Sequence, residues 1–291
     1  MQTTNKQSLK ILFVEKFSET NPEGFIDYFV KQGHKVSANI ENPDIIFCAS
    51  FFKTREAMNL KIQFPNAKLI VYCWDYYKWV HEGKHDANWG QYRELMKMAD
   101  TVIVPSDGQK LRLKELLDID SIVCETSIPY YDHEVRDDRF VLDPVRHYPE
   151  ENRGWVEKAC EELGIPCDHS EHKYSLEEFR DKVNSCSFMV CAFREASTGG
   201  LSLMEGLYNG KVSLVSNSPY MGAKNYIGDY GYYFQYDDFE DLKRKIKYLW
   251  DNPELCKLDK KDTRDYMRYF SDEAFGARLI KIFKNENIER N

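Results

Sequence analysis

Short apolar runs alternate with amphipathic stretches along the chain. KILFVE is followed by a helical pattern through Phe25 to Gln32, then by KVSANI, DIIFCAS, a helix over Thr54 to Ile62, and KLIVYCWD. A helix near Tyr92 to Met98, the run TVIVPS, a helix opening at Asp107 and the run SIVCETS continue the series. Strands that read as nearly unbroken Val, Ile and Leu are those buried on both faces, so this rhythm predicts a parallel sheet covered by helices. Six strand candidates precede residue 130.

The charge-rich stretch PYYDHEVRDDR breaks the rhythm, and a second series follows. It reads FVLDPVR, a helix from about Glu150 to Leu163, IPCDHS, a helix over Leu176 to Val183, FMVCAF, a helix through Leu201 to Tyr208, VSLVS and YYFQY. The break predicts a domain boundary near residue 133, giving domains 1–132 and 133–291. From Phe239 the pattern is helical, in FEDLKRKIKYLW and again in SDEAFGARLIKIF, where Ser271 followed by Glu273 marks an acidic helix start. This last helix could pack back onto the first domain. The expected fold class is α/β, with two Rossmann-like, doubly wound domains in tandem. Ligands of such folds bind outside the carboxyl ends of strands, which directs attention to the residues just after each strand.

With 291 residues the chain can bury two modest cores, and 42% hydrophobic with 14% aromatic residues excludes a disordered composition. A formal net charge of −8 and a pI near 5.5 argue against a protein that coats nucleic acid. The polar opening MQTTNKQSLK runs straight into an apolar strand, without a signal-peptide core or a bilayer-length apolar run. A cytoplasmic location is therefore expected. The eight cysteines are scattered with no CxxC pair, which fits buried free thiols acting as small hydrophobes.

Candidate chemistry gathers in the second half. Thr198, Gly199, Gly200 and Leu201 form a Gly-rich turn opening a helix, where backbone N–H groups and the helix dipole suit a diphosphate. Glu205 follows on the first turns of that helix, where a carboxylate can accept from both vicinal hydroxyls of a ribose. The same residues also fit a tight structural turn with a solvated Glu. Cys167, His169 and His172 in CDHSEH resemble a metal cluster in type, but they leave one short strand in mixed directions without a fourth ligand, and no metal is expected. In the first half, Trp74, Tyr76, Tyr77, Trp79 and Trp89 could stack on a sugar acceptor while Asp75, His81 or His85 orients its hydroxyl. Core packing would account for these aromatics equally well.

The segment REASTGGLSLMEGLYNGKVSLVSNSPYMGAKNYIGDYGYYF resembles the donor-binding core of family 4 retaining glycosyltransferases, and YYFQYDDFEDLKRKIKYLWDNPE continues the match. The resemblance implies a two-domain GT-B fold, with the acceptor on the first domain and a UDP- or GDP-sugar on the second. It implies no cofactor, no metal and retention of anomeric configuration. The acceptor would be a hydroxyl of a glycan, a lipid-linked molecule or another compound, with room for peripheral membrane contact and no role for nucleic acid. RHYPEENRGW resembles the family's region for the departing diphosphate, which assigns Arg146 and Arg153 to its charge; a pair of surface arginines is the alternative. The loop SEHKYS would lie near the nucleotide base, making His172, Lys173 and Tyr174 base-side contacts.

One departure bears on the sugar. The family places seven residues between its two carboxylates, and that spacing counted back from Glu205 lands on Ser197, with Glu195 two residues earlier. Either Glu195 or Ser197 then meets the sugar hydroxyls. Rival expectations are a nucleotide-sugar epimerase of the same fold, which needs no acceptor groove, and a non-catalytic sugar- or partner-binding module. A DNA-modifying transferase is disfavoured by the acidic balance.

Overall fold

The computed structural model of the chain describes residues 8–14, 24–49, 51–74, 76, 89–128, 131–144, 154–169, 174–193 and 200–288. Two compact units make up the chain. The first takes in Met1–Pro105, Leu113–Ser127 and Phe270–Asn291, and the second Ser106–Arg112 and Ile128–Tyr269. The boundary expected near residue 133 lies close to the crossing at Ile128, whereas Phe270–Asn291 counts with the first unit.

All six strands expected in the first half are present. They are β1 (Lys10–Phe13), β2 (Lys35–Ser37), β3 (Ile45–Cys48), β4 (Lys68–Tyr72), β5 (Thr101–Val104) and β6 (Ile122–Val123). They form a parallel sheet in the order β2-β1-β3-β4-β5-β6. Helices α1 (Gly24–Lys31), α2 (Thr54–Gln63), α3 (Trp89–Met98) and α4 (Asp107–Leu117) alternate with them. Period-two alternation divides the strand residues between faces. Leu12, Ile46, Leu69, Val71, Val102 and Val104 pack with Ala57 of α2, Tyr92, Leu95 and Met96 of α3, and Leu113 of α4. Asp100, in the turn before β5, accepts from the Leu69 N–H at 2.7 Å and from Lys61 Nζ at 2.9 Å, which ties that turn to β4 and α2.

The second unit holds β7 (Val141–Asp143), β8 (Cys167–His169), β9 (Phe188–Cys191), β10 (Ser213–Ser216) and β11 (Tyr232–Phe234). These strands are parallel, in the order β11-β10-β9-β7-β8. Its helices are α5 (Trp155–Leu163), α6 (Leu176–Ser185), α7 (Leu201–Tyr208), α8 (Lys224–Ile227), α9 (Phe239–Asp251) and α10 (Lys260–Met267). Val156, Ala159 and Cys160 of α5 and Leu242, Ile246 and Leu249 of α9 cover Val141, Phe188, Val190, Leu214 and Phe234. A reciprocal cap starts α6: the Glu178 N–H donates to Ser175 Oγ while the Ser175 N–H donates to the Glu178 carboxylate. On α7, Gly206 lies so close to the Met189 side chain of β9 that any Cβ would collide with it.

The last helix, α11 (Asp272–Phe283), packs on the first unit, as its sequence allowed. Phe275, Leu279, Ile282 and Phe283 join Phe25 and Phe29 of α1 over Ile11, Phe13, Ile45, Phe47, Ile70, Tyr72 and Ile103, the opposite parity of the same strands. Ser271 caps α11 by accepting from the Ala274 N–H at 3.2 Å. Arg278, on the same helix, donates to the Glu125 carbonyl at 2.8 Å. All eight cysteines are free thiols, seven buried and Cys167 partly so. No helix among the described residues is long and apolar enough to cross a membrane.

Candidate functional site

In the second unit the chain steps from β7 outward to β8, then returns across β7 to lay down β9, β10 and β11 on the other side. The carboxyl ends of two strands that part in this way open a crevice, the usual ligand site of a doubly wound sheet. The segments after β7 and β9 therefore frame the candidate site. Arg146 and Arg153 on the first segment, and Glu195, Ser197, Thr198 and Gly199 on the second, lie outside the described residues, as do Asp75 and His172.

The second segment is described at Ala192 and Phe193 and resumes at Gly200. This glycine precedes α7 in the left-handed conformation, with φ 67° and ψ 71°, and its carbonyl accepts from the Leu203 N–H at 2.9 Å. The N–H groups of Leu201 and Ser202, at the head of the helix, have no intrahelical acceptor and lie at the positive end of the dipole. A side chain on Gly200 would be strained by its φ and would crowd Leu203 at 3.1 Å.

Glu205 sits one turn further along α7. Its side chain is only 12% exposed, so it is not the solvated Glu of a plain structural turn. Arg180 of α6 approaches its Oε1 with Nη2 at 3.7 Å, and is the one polar partner of this carboxylate among the described residues. Burial pushes the Glu205 carboxyl above the usual carboxylate range, and the Arg180 charge pulls it partly back. At 3.7 Å the pair is longer than a hydrogen bond, so the acceptor positions of both oxygens stay unused by Arg180.

Arg180 itself lies flat on an aromatic ring, its guanidinium carbon 3.3 Å from the Tyr131 centroid. Asn209, at the end of α7, donates through Nδ2 to the carbonyls of both Tyr131 and Glu205 at 3.0 Å, and its Oδ1 accepts from the His133 N–H at 3.2 Å. Of the site residues expected from the sequence, Gly200, Leu201 and Glu205 lie at the start and on the first turns of α7, while Arg180, Tyr131 and Asn209, which gather around Glu205, were not singled out there. Only the Asn just past a helical run carried any signal, as a helix end.

Tyr174 precedes α6, and its hydroxyl donates to Asp168 of β8 at 2.8 Å; Lys182 holds the other Asp168 oxygen at 2.7 Å. The phenol is thus pinned by its oxygen, and Lys182 Nζ also stands over its ring, 5.6 Å from the centroid. His169 pairs through Nδ1 with Glu157 at 2.9 Å, and the Cys167 thiol adjoins Cys160. Among the described residues no three His, Cys, Asp or Glu side chains converge as metal ligands.

In the first unit, Tyr76 is fully buried in the core, which matches the core-packing alternative that the sequence left open beside acceptor stacking. The aromatic run WDYYKW lacks the alternation that would have revealed which ring points inward. Trp89 stacks on Phe51 with centroids 4.1 Å apart, and Trp74 lies tilted against Tyr72 at 4.8 Å. Tyr77, Trp79, His81 and His85 lie outside the described residues.

No protein-family model and no curated protein matches the chain. Solved structures do match. A glycosyltransferase from Rickettsia africae is 16% identical with a TM-score of 0.62, the match covering 96% of this chain and 98% of that one. HepE from Anabaena, in complex with UDP and glucose, is 10% identical with a TM-score of 0.62 over 95% of this chain and 100% of HepE. TarM is 14% identical with a TM-score of 0.63 over 89% of this chain, which spans 57% of TarM's length. At these identities the likeness is one of fold: the chain has two Rossmann-like parallel-sheet domains of the GT-B type.

Proposed function

We propose that this chain is a glycosyltransferase that moves a sugar from a nucleotide diphosphate to an acceptor hydroxyl with retention of configuration. Glu205 carries the proposal. It is a buried carboxylate with one loose ion pair, on a helix opened by a left-handed glycine, beside the reversal of the sheet. A buried carboxylate normally has its oxygens occupied, because an unpaired one loses its hydration without replacement. The vicinal hydroxyls of a ribose would fill the unused positions, and the N–H groups at the head of α7 would take a diphosphate. The Anabaena structures with UDP and glucose, and with UDP-glucose, make a UDP-sugar the first donor to try.

Within this proposal Thr198, Gly199, Gly200 and Leu201 cradle the diphosphate, and Glu195 or Ser197 faces the sugar ring. His172 and the Tyr174 ring lie on the base side. Arg146 and Arg153 offset the charge that grows on the departing diphosphate, which makes a metal unnecessary. The acceptor, a glycan or lipid-linked hydroxyl oriented by Asp75 in the first unit, attacks on the face from which the diphosphate leaves. Its proton passes to a phosphate oxygen.

Calorimetric titration of UDP and UDP-glucose into wild-type and Glu205→Gln protein tests the proposal. Both ligands carry the ribose, so both should weaken by roughly tenfold to a hundredfold, the worth of hydrogen bonds to a charged acceptor. Wild-type affinity for both in a folded variant would remove Glu205 from any donor site.

A further inference from the structure

The contact between Arg180 and Glu205 differs from an ordinary buried salt bridge. A structural Arg–carboxylate pair closes to two parallel hydrogen bonds of about 2.7–2.9 Å and consumes the acceptor positions it meets. Here Nη2 stands 3.7 Å from Oε1, and the buried Arg180 Nε has no hydrogen-bond partner among the described residues. What fixes the guanidinium is the Tyr131 ring, 3.3 Å beneath its central carbon. That ring is referenced to the helix that bears the carboxylate, because Asn209 donates to the Tyr131 carbonyl and to the Glu205 carbonyl, each at 3.0 Å. A third element thus holds the cation at a set distance from the carboxylate, close enough for its charge to act and too far to occupy the oxygens.

We infer that Arg180, seated on Tyr131, is a positioning residue that holds the Glu205 carboxylate oriented and open toward the two ribose hydroxyls of a nucleotide. The inference rests on the proposed role of Glu205. A carboxylate at this depth needs a neighbouring cation to stay charged, and a charged acceptor binds a hydroxyl about twice as strongly as a neutral one. Lysine would not serve equally, because an ammonium lacks the flat face that lies on a ring.

The test compares UDP with 2′-deoxy-UDP, which lacks one of the hydroxyls. Wild-type protein should prefer UDP by about tenfold or more. Arg180→Met should reduce that preference to about threefold or less while keeping most of the affinity for 2′-deoxy-UDP, and Arg180→Lys should restore part of it. Tyr131→Leu, at a residue 38% exposed, should lower the preference in the same direction, and it decides the matter if Arg180→Met fails to fold. A purely structural Arg180 would weaken both nucleotides by the same factor, and that result, or a full preference surviving Tyr131→Leu, would overturn the inference. A wild-type protein that binds both nucleotides equally would remove Glu205's role and the inference with it. Loss of the preference in Glu205→Gln alone would leave the role of Glu205 standing and sink only that of Arg180.

Discussion

Phe25 of the first helix and Phe275 of the last meet edge to face, their centroids 5.2 Å apart and their planes at 73°. The two rings are fully buried, and Phe275 also meets Tyr72 edge-on at 5.9 Å. Removing the Phe275 ring leaves a cavity that three elements would have to collapse to fill. Phe275→Ala should cost about 3–5 kcal/mol, read as a lower urea midpoint for the first unit. An unchanged midpoint would mean that α11 contributes little to that core.

The left-handed backbone at Gly200 leads to a second expectation. Gly200→Ala should lose about 1–2 kcal/mol of stability from the forced φ, with crowding at Leu203 adding to it. UDP-glucose affinity should fall as well, because the distorted residue lies at the head of α7. Gly200→Asn tolerates the left-handed region better and should fall less in both thermal-shift and titration measurements. Equal behaviour of the Ala and Asn variants would argue against backbone strain as the cause.

Asp100 makes stability depend on pH. Partial burial works to raise its carboxyl, but hydrogen bonds from Lys61 and the Leu69 N–H outweigh this and hold it below the ordinary 3.8. The unfolded chain therefore takes up this proton first, and the stabilisation is present above pH 3.8 and lost as pH falls through the folded value. Asp100→Asn should lower the urea midpoint at pH 7, and the gap to wild type should shrink steadily on acidification below about pH 4. A gap that is constant with pH would show that charge at Asp100 is not involved.

The diphosphate gives the fourth expectation. With Arg146 and Arg153 as its cations, binding of UDP-glucose should persist in EDTA, and either arginine changed to Ala should weaken it roughly tenfold to a hundredfold. Binding abolished by chelation and restored by a divalent ion would transfer that role to a metal.

The central strands were legible because a strand buried on both faces is written as an unbroken apolar run, and KLIVY or FMVC cannot lie anywhere wetter, whereas the edge strands KVS and CDH were placed by the rhythm around them. The turn at Gly200 was legible because a turn into a helix needs a particular residue where φ turns positive, and that need is local, whereas Glu205 drew attention by its place on the first turns of the same helix. Arg180 and Tyr131 were not. They reach Glu205 from a different helix and from the stretch before β7, and an Arg in LEEFRDKVNS looks the same whether it faces solvent or a neighbouring carboxylate. For Tyr76 the sequence left core and acceptor face equally open for a related reason, since its segment has no periodicity to say that the ring turns inward.

A ribosome delivers β1 to β6 in order, yet Phe275, Leu279, Ile282 and Phe283 emerge only after Ile128–Tyr269. Until then α1 is the one helix among the described residues that shields this side of the first sheet, with Phe47 and Tyr72 lacking the rings that finally cover them. The second unit, continuous apart from Ser106–Arg112, can mature while the first waits. Closing this side of the first core therefore requires residues that follow the whole of Ile128–Tyr269 in the chain, so its contacts there are of high sequence separation.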